Sequence, residues 1–363
     1  MERGQQATVP RDGYTTVTSD PSPETATPRT PYVSVIMAIR NESESIERSL
    51  RAVLEQDYPH DRMEVIVADG MSADGTRDAV AALACQHSNV RLIDNPAGIV
   101  STGLNRAIAV ARGEIIVRVD GHTLIGADYV SQSVRVLRTA GADCVGGPMK
   151  AEGRGWFGRA VARATSSRFG VGGGRFHYSD RQEWVDTVYM GAWWRRTFEQ
   201  IGAFDEHMVR NQDDEFSYRL LDRGGRILLT PTIRSTYAVR GTPRSLWRQY
   251  FEYGYWKVRV MRLHPRQMRL RQCAPPAFVL ALVSAGLAAL GGPGGRVFLV
   301  ALVSVYGVAN LGASLQAAGR GEPGLVPGLV LAYAVLHLSY GTGFLTGLLR
   351  SAAGVLVGKS GRR

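Results

Sequence analysis

Val117-Arg118-Val119-Asp120-Gly121-His122 closes an apolar run that begins at Ile115. A short apolar run bounded by polar residues is the pattern of a strand covered on both faces, as in a parallel sheet. This strand stops at an acid, and a second side chain able to bind metal follows just after it. Ligands of parallel α/β sheets bind outside the carboxyl ends of the strands. An Asp and a His at such an end can share a divalent cation, and that cation can hold a diphosphate. Taken alone, the same residues also describe a turn former or the N-cap of a following helix.

The upstream chain repeats one unit, strand then helix. Val33 to Ile39 is apolar and β-branched, and polar Arg40-Asn41-Glu42 leads into a helical stretch through Leu54. Glu64 to Ala68 is a second strand; it ends at Asp69, passes Gly70-Met71-Ser72-Ala73-Asp74-Gly75-Thr76, and opens a helix to about Gln86. Val90 to Ile93 reads as a third strand, Ile99 to Ala111 as a helix, and Glu114 to Val119 as the fourth strand. Alternating strands and helices imply a mostly parallel sheet with right-handed crossovers. Arg40, Glu42, Asp69, Asp74, Asp120 and His122 then fall just past strand ends on one edge of the sheet, where a nucleotide would lie.

Composition bounds the rest. The chain of 363 residues has room for one large domain and an appendage. Residues 1–30, rich in Thr, Ser and Pro with no apolar run, read as a disordered tail. Cys85, Cys144 and Cys273 lie far apart in apolar settings, which suits a reducing environment and neither a disulfide framework nor a zinc site. The formal charge of +11 is concentrated beside apolar segments, which points to a membrane surface and away from nucleic acid.

After Cys273 the composition shifts. Pro276 to Gly291, Val297 to Leu315 and Leu325 to Leu349 are nearly uncharged, and the second and third match the roughly 20 residues a bilayer crossing needs. Gly307, Gly312 and Gly328 suit close helix packing in lipid. Ahead of them, Arg244 to Arg271 holds eight Lys or Arg and a single acid, Glu252, interleaved with Trp247, Tyr250, Tyr253, Tyr255 and Trp256. That mixture fits an anionic leaflet, and the positive-inside rule then places the large domain in the cytoplasm at the inner cell membrane. Three spans would put the basic tail (Lys359, Arg362, Arg363) on the opposite side, a conflict that an even number of spans or a re-entrant segment would remove.

From Pro31 to about Lys257 these motifs, in order, resemble the family 2 glycosyltransferases of GT-A fold, especially the membrane-attached succinoglycan-type enzymes. The stretches are Val35 to Glu42, Val67 to Thr76, Leu104-Asn105-Arg106-Ala107-Ile108, Arg118 to His122, Gly202-Ala203-Phe204-Asp205-Glu206, and Asn211 to Arg219. The resemblance implies a Rossmann-like catalytic domain over 31–243, and the composition adds basic aromatic interfacial helices over 244–273 and transmembrane helices with a basic tail over 274–363. It implies a nucleotide-sugar donor, UDP-linked by expectation, held by Ala38, Arg40, Glu42, Asp69, Asn105, Arg106 and Asp120. Asp69 matches the acid that accepts from uracil N3–H; the same Asp69 also suits a loop cap. Asp120 and His122 match the metal motif, with His in place of the second Asp, for Mn²⁺ or Mg²⁺. Asp213 matches the base that takes a proton from the acceptor hydroxyl in a single inverting displacement, although Asn211 to Glu215 also reads as an ordinary acidic helix start. Arg219 has a helical partner in Glu215. Trp193 and Trp194 suit sugar stacking or core equally, and the glycine-rich Ser167 to His177 suits a loop closing over substrate or a plain connection. The implied acceptor is a polyprenyl-diphosphate-linked saccharide. The alternatives are a processive polysaccharide synthase, and a nucleotide-sugar-binding membrane scaffold impaired in catalysis, which Gly70, His122 and Gln212 would suit.

Overall fold

The structure, a computed structural model, describes residues 29–354; the tail expected over 1–30 falls almost wholly outside them, as do Lys359, Arg362 and Arg363. In chain order the strands are β1 (Val33–Ile39), β2 (Met63–Asp69), β3 (Val90–Asp94), β4 (Ile115–Arg118), β5 (Thr123–Ile125), β6 (Cys144–Gly147), β7 (Met149–Glu152), β8 (Glu183–Val185), β9 (Tyr189–Trp194), β10 (Ile227–Leu229) and β11 (Ser235–Ala238). The helices are α1 (Ile46–Leu54), α2 (Thr76–Gln86), α3 (Val100–Val110), α4 (Tyr129–Thr139), α5 (Gly155–Thr165), α6 (Arg168–Val171), α7 (Arg195–Ile201), α8 (Gln212–Asp222), α9 (Pro243–Leu263), α10 (Ala274–Gly291), α11 (Pro293–Ala318) and α12 (Val326–Ala352).

The main sheet runs β3-β2-β1-β4-β9-β6-β10-β8, with β9 and β8 antiparallel to their neighbours and the others parallel. The chain therefore moves outward from β1 through β2 to β3, then returns to pair β4 on the other side of β1. That reversal leaves a crevice between the carboxyl ends of β1 and β4. Val33, Val35, Met37 and Ile39 of β1 pack with α1, α2 and α4, while Ile36 packs toward α3, α7 and α8. The pleat sends alternate side chains to opposite faces, and both faces are covered. Phe216, fully buried with Trp193, Phe198 and Phe204, centres the second face; such a ring is worth about 3–5 kcal/mol against truncation to Ala. Trp193 is thus core, and Arg219 pairs with Glu215 through two contacts of 2.8 and 3.0 Å.

A small sheet, β5-β11-β7, lies beside the first. A third apolar cluster joins α5 and Leu246 of α9 to Leu329, Ala332, Tyr333 and Leu336 of α12. Residues 31–354 accordingly fall in one compact unit. The basic segment is not only a lipid-facing collar. Arg244, Arg248, Arg262, Arg266 and Arg269 are exposed, but Lys257 turns inward to Asp214 and Arg259 to Asp205. Gly307 and Gly312, expected at helix contacts, face open space, whereas Gly328 packs on Ala160 and Trp156 of α5.

Candidate functional site

The crevice brings Arg40 and Glu42, just past β1, beside Asp120 and His122, just past β4. Register explains it: Ile36 pairs with Arg118, the last residue of β4, and β1 runs three residues farther, so that Ile39 and Arg40 come level with Gly121 and His122. The β1 loop is held by the loop after β2. Asn41 accepts from Ala73 N–H at 3.0 Å and donates its own N–H to Ser72 Oγ at 2.9 Å. Glu42 N–H donates to Thr76 Oγ1 at 2.7 Å and Ser43 N–H to Asp74 at 3.1 Å. Hydrogen bonds from Thr76, partly offset by burial, hold the Asp74 carboxyl well below the usual range.

Asp69 anchors this second loop. It is fully buried, accepts from Ser72 O–H at 2.5 Å and lies 3.3 Å from the Arg77 guanidinium. It does not line the cavity, and what the structure shows it doing is capping the loop. Asn105 and Arg106 are not brought to the site either. Asn105 clamps the Gly202–Glu206 loop, exchanging hydrogen bonds of 2.9 Å with the Phe204 backbone. Arg106 is exposed on α3. The cavity is met by the N-terminus of that helix, at Ile99 and Val100, while 105 and 106 lie farther along it.

Around Asp120 the charges are tightly arranged. Arg118, nearly buried, donates from Nε to Asp120 at 2.8 Å. Burial opposes ionisation of Asp120, but Arg118 and His122 outweigh it and hold the carboxyl below its ordinary value. His122 Nδ1 lies 3.3 Å from Glu42 Oε1. A carboxylate only accepts, so Nδ1 carries the hydrogen and the neutral ring keeps Nε2 as an acceptor. Burial works to lower the His122 pKa, yet the Glu42 contact wins and raises it. Two buried side-chain atoms here lack hydrogen-bond partners, Glu42 Oε2 and Arg118 Nη1. An orphaned anion acceptor and an orphaned cation donor in one crevice suit a cation and an anionic ligand arriving together. Among the described residues no three His, Cys, Asp or Glu side chains form a cage. A cation would thus rest on Asp120 and His122 with its remaining positions on substrate phosphate, the usual mode for Mg²⁺.

Asp213 lines the same cavity at the second residue of α8. Burial and the neighbouring Asp214 raise its pKa, with Arg118 pulling the other way. Asp214 is itself ion-paired to Lys257 at 2.5 Å. Sequence reasoning singled out neither Arg118 nor Lys257 as a site residue. Arg118 was legible as a charge in an otherwise apolar strand, whereas Lys257 sits among many basic residues with nothing to distinguish it. The glycine-rich segment also lines the cavity. It is tied down by α12, because Ser167 Oγ meets Tyr333 Oη at 2.8 Å and His337 Nε2 donates to the Phe169 carbonyl at 2.8 Å.

Residues 34–202 match the family model described as glycosyl transferase family 2. The succinoglycan biosynthesis protein ExoA of Rhizobium meliloti (strain 1021) is 30% identical over 87% of this chain and 94% of its own length. The chain belongs to the family 2 glycosyltransferases. A Methanococcus voltae relative, named a dolichyl N-acetyl-alpha-D-glucosaminyl phosphate 3-beta-D-2,3-diacetamido-2,3-dideoxy-beta-D-glucuronosyltransferase, is 24% identical over 64% of this chain and 74% of its own. The mannosyltransferase PcManGT from Pyrobaculum calidifontis, solved with GDP-Man and Mn²⁺, superposes with a TM-score of 0.52 at 21% identity, over 92% of this glycosyltransferase and 89% of PcManGT. At that identity the likeness concerns the fold, which is GT-A.

Proposed function

We propose that this glycosyltransferase moves a sugar, with inversion, from a nucleotide donor to a lipid-linked saccharide in glycan synthesis. The observation that carries the reading is a single cavity of about 2280 Å³. It runs from Arg40, Glu42, Asp120 and His122, past Asp213, to Phe278, Tyr306, Leu336 and Tyr340 of the apolar helices. Pockets for one drug-sized ligand measure about 300–1,000 Å³, so this one has room for a donor at the sheet end and a lipid-borne acceptor at the helix end.

The donor diphosphate lies at Asp120 and His122, where a bound Mn²⁺ or Mg²⁺ would neutralise charge on the leaving group. Arg118 Nη1 offers a further donor to it, and Arg40 with Ala38 and Gly98 frames the nucleoside. Asp213 accepts the proton of the acceptor hydroxyl as that oxygen bonds to the anomeric carbon. The carbon–oxygen bond to the diphosphate breaks, and the nucleoside diphosphate leaves. Because Asp69 is fully buried beneath Ser72 and Arg77 and does not line the cavity, it presents no oxygen there for a uracil-specific contact, and GDP-sugars belong beside UDP-sugars as donor candidates. PcManGT holds GDP-Man with Mn²⁺, and the Methanococcus relative is named for a dolichyl phosphate acceptor; both support this class.

The test is a nucleotide-sugar panel on detergent-solubilised full chain with Mn²⁺, scored by nucleoside diphosphate release with and without a polyprenyl-diphosphate-linked saccharide. The anomeric configuration of the product is read by NMR. Acceptor-stimulated release with inversion is expected. Tight nucleotide binding with no turnover on any donor would favour a binding scaffold, and a retained configuration would rule out Asp213 as base in a single displacement.

A further inference from the structure

Among the described residues three helices are long and apolar enough to cross a bilayer, but they are not alike. Of the most apolar stretch in each, only 17% is buried within the protein for α10 and 11% for α11, against 50% for α12. The exposed apolar side chains follow suit. Leu287 and Leu290 of α10, and Val297, Val300, Val305 and Val308 of α11, are each more than half exposed.

Both ends of α12 are pinned, the near end to α5 of the catalytic domain and the far end to α9. Just before it, Glu322 pairs with Arg159 at 3.3 Å and Arg163 at 3.0 Å, both on α5, and Trp156 Nε1 donates to the Gly324 carbonyl at 2.8 Å. At its far end Ser351 bonds Arg262, and Arg350 lies over the Tyr255 ring. Between these points α12 runs beside α9 in the same direction. A side chain at Gly343 would collide with the Phe251 carbonyl, and one at Gly347 would crowd the Tyr255 backbone and Val258. α9 carries Glu252, Lys257 and Arg259, each paired to an acid or base of the catalytic domain. To traverse some 30 Å of hydrocarbon, a helix so aligned with α9 and tied to α5 would have to carry α9 and its ion pairs into the bilayer.

We propose that α10 and α11 alone cross the bilayer, as a hairpin, while α12 lies along the catalytic domain at the interface. The segment after α12 is then on the catalytic side. The 26 residues of α11 span about 39 Å, enough for the crossing. The hairpin turn, Gly291-Gly292-Pro293-Gly294-Gly295, adds only Arg296 at the far side. The eight basic residues from Arg244 to Arg271 and the basic Lys359, Arg362 and Arg363 then share one side, as the positive-inside rule asks. The inference rests on the membrane reading above and is independent of the reaction.

Variants of the full chain with one accessible cysteine, Gly294→Cys and Ser360→Cys in a Cys85→Ser/Cys273→Ser background that keeps only the buried Cys144, are labelled in intact cells with a membrane-impermeant maleimide. Labelling at 294 and protection at 360 until permeabilisation is expected. External labelling at 360 would mean three crossings and overturn the hairpin. Protection at both sites would mean that α10–α11 does not emerge, which overturns it equally. Release of the chain by alkaline carbonate would instead overturn the membrane reading itself. Spin labels at Leu331 of α12 and Val303 of α11 give a second readout, since equal hydrocarbon depth at the two would also sink the proposal.

Discussion

The two ends of the cavity are built by opposite means. At the sheet end, the loops after β1 and β2 interlock through short hydrogen bonds among Asn41, Ser72, Asp74 and Thr76, and most of the polar groups find partners within one pair of βα units. At the helix end, the glycine-rich segment from Ser167 depends on α12, more than 150 residues away, through Tyr333 and His337. The first end is wired by local motif and adjacent strands, the second by remote packing. Donor binding should therefore survive damage that ruins acceptor use, and the reverse should be hard to obtain. Asp213 sits where the two meet.

The largest effect is expected at that junction. Asp213→Asn should lower turnover by about two to four orders of magnitude with little change in nucleotide affinity. Its pKa is raised by burial and by Asp214, so in the parent the acid limb of turnover should stand above the usual Asp range, with activity lost as pH falls through the raised value. The same sign makes ionised Asp213 a cost to the fold as pH rises, so Asp213→Asn should melt at or above the parent temperature at neutral pH. A lower melting temperature together with lost nucleotide affinity would mean that Asp213 is a structural cap.

Next comes Lys257→Met, which strips the partner from Asp214. Removing one member of a buried pair costs about 3–5 kcal/mol, and the lower end applies because Asp214 keeps some solvent. The double variant Lys257→Met/Asp214→Asn should recover part of that loss in chemical denaturation; no recovery would show that the pair is not coupled. Asp214 is thus no bystander at a helix start, and Asp214→Asn should cost stability more than chemistry.

A smaller effect isolates the helix end. Gly343→Leu forces a side chain into the Phe251 backbone and should cost about 1–3 kcal/mol by overpacking. Transfer to a lipid-linked acceptor should fall while nucleotide affinity, measured by calorimetry, holds. If nucleotide affinity fell equally, the two ends would not be separable. Smallest of all, His122→Asp should leave turnover within about tenfold of the parent, since a carboxylate is also a fit ligand for Mg²⁺ or Mn²⁺; the negative charge placed near Glu42 is expected to limit any gain. A loss of many orders would remove His122 from the cation site.

Much of the sheet end was legible in the sequence. Apolar runs of strand length at Val33, Glu64, Val90 and Glu114 form β1 to β4 within a residue or two. A strand covered on both faces must be apolar throughout, and polar residues that follow it fall at its carboxyl end. The joint placement of Glu42, Asp120 and His122 follows from that logic plus the order in which parallel strands are laid down. Asp69 shows where such reading stops. It does stand at a strand end, but whether an acid there faces a ligand or a loop depends on which neighbours reach it, and Ser72 and Arg77 do.

What the sequence by itself determined about this protein is its periodicities, the order of its βα units, the acids at strand ends and the apolar helices near its end. These are local properties, recorded by residue type and spacing. Only the tertiary structure decided that Lys257 faces Asp214, that Arg118 lies near both Asp120 and Asp213, that Asn105 clamps a loop, and that α12 packs along α9 while α10 and α11 stand exposed. A charge or an apolar stretch looks the same in sequence whichever partner it will meet. The partner is chosen by which surfaces the topology brings within a few ångströms, and most of these choices join residues far apart in the chain, where no short pattern carries the information.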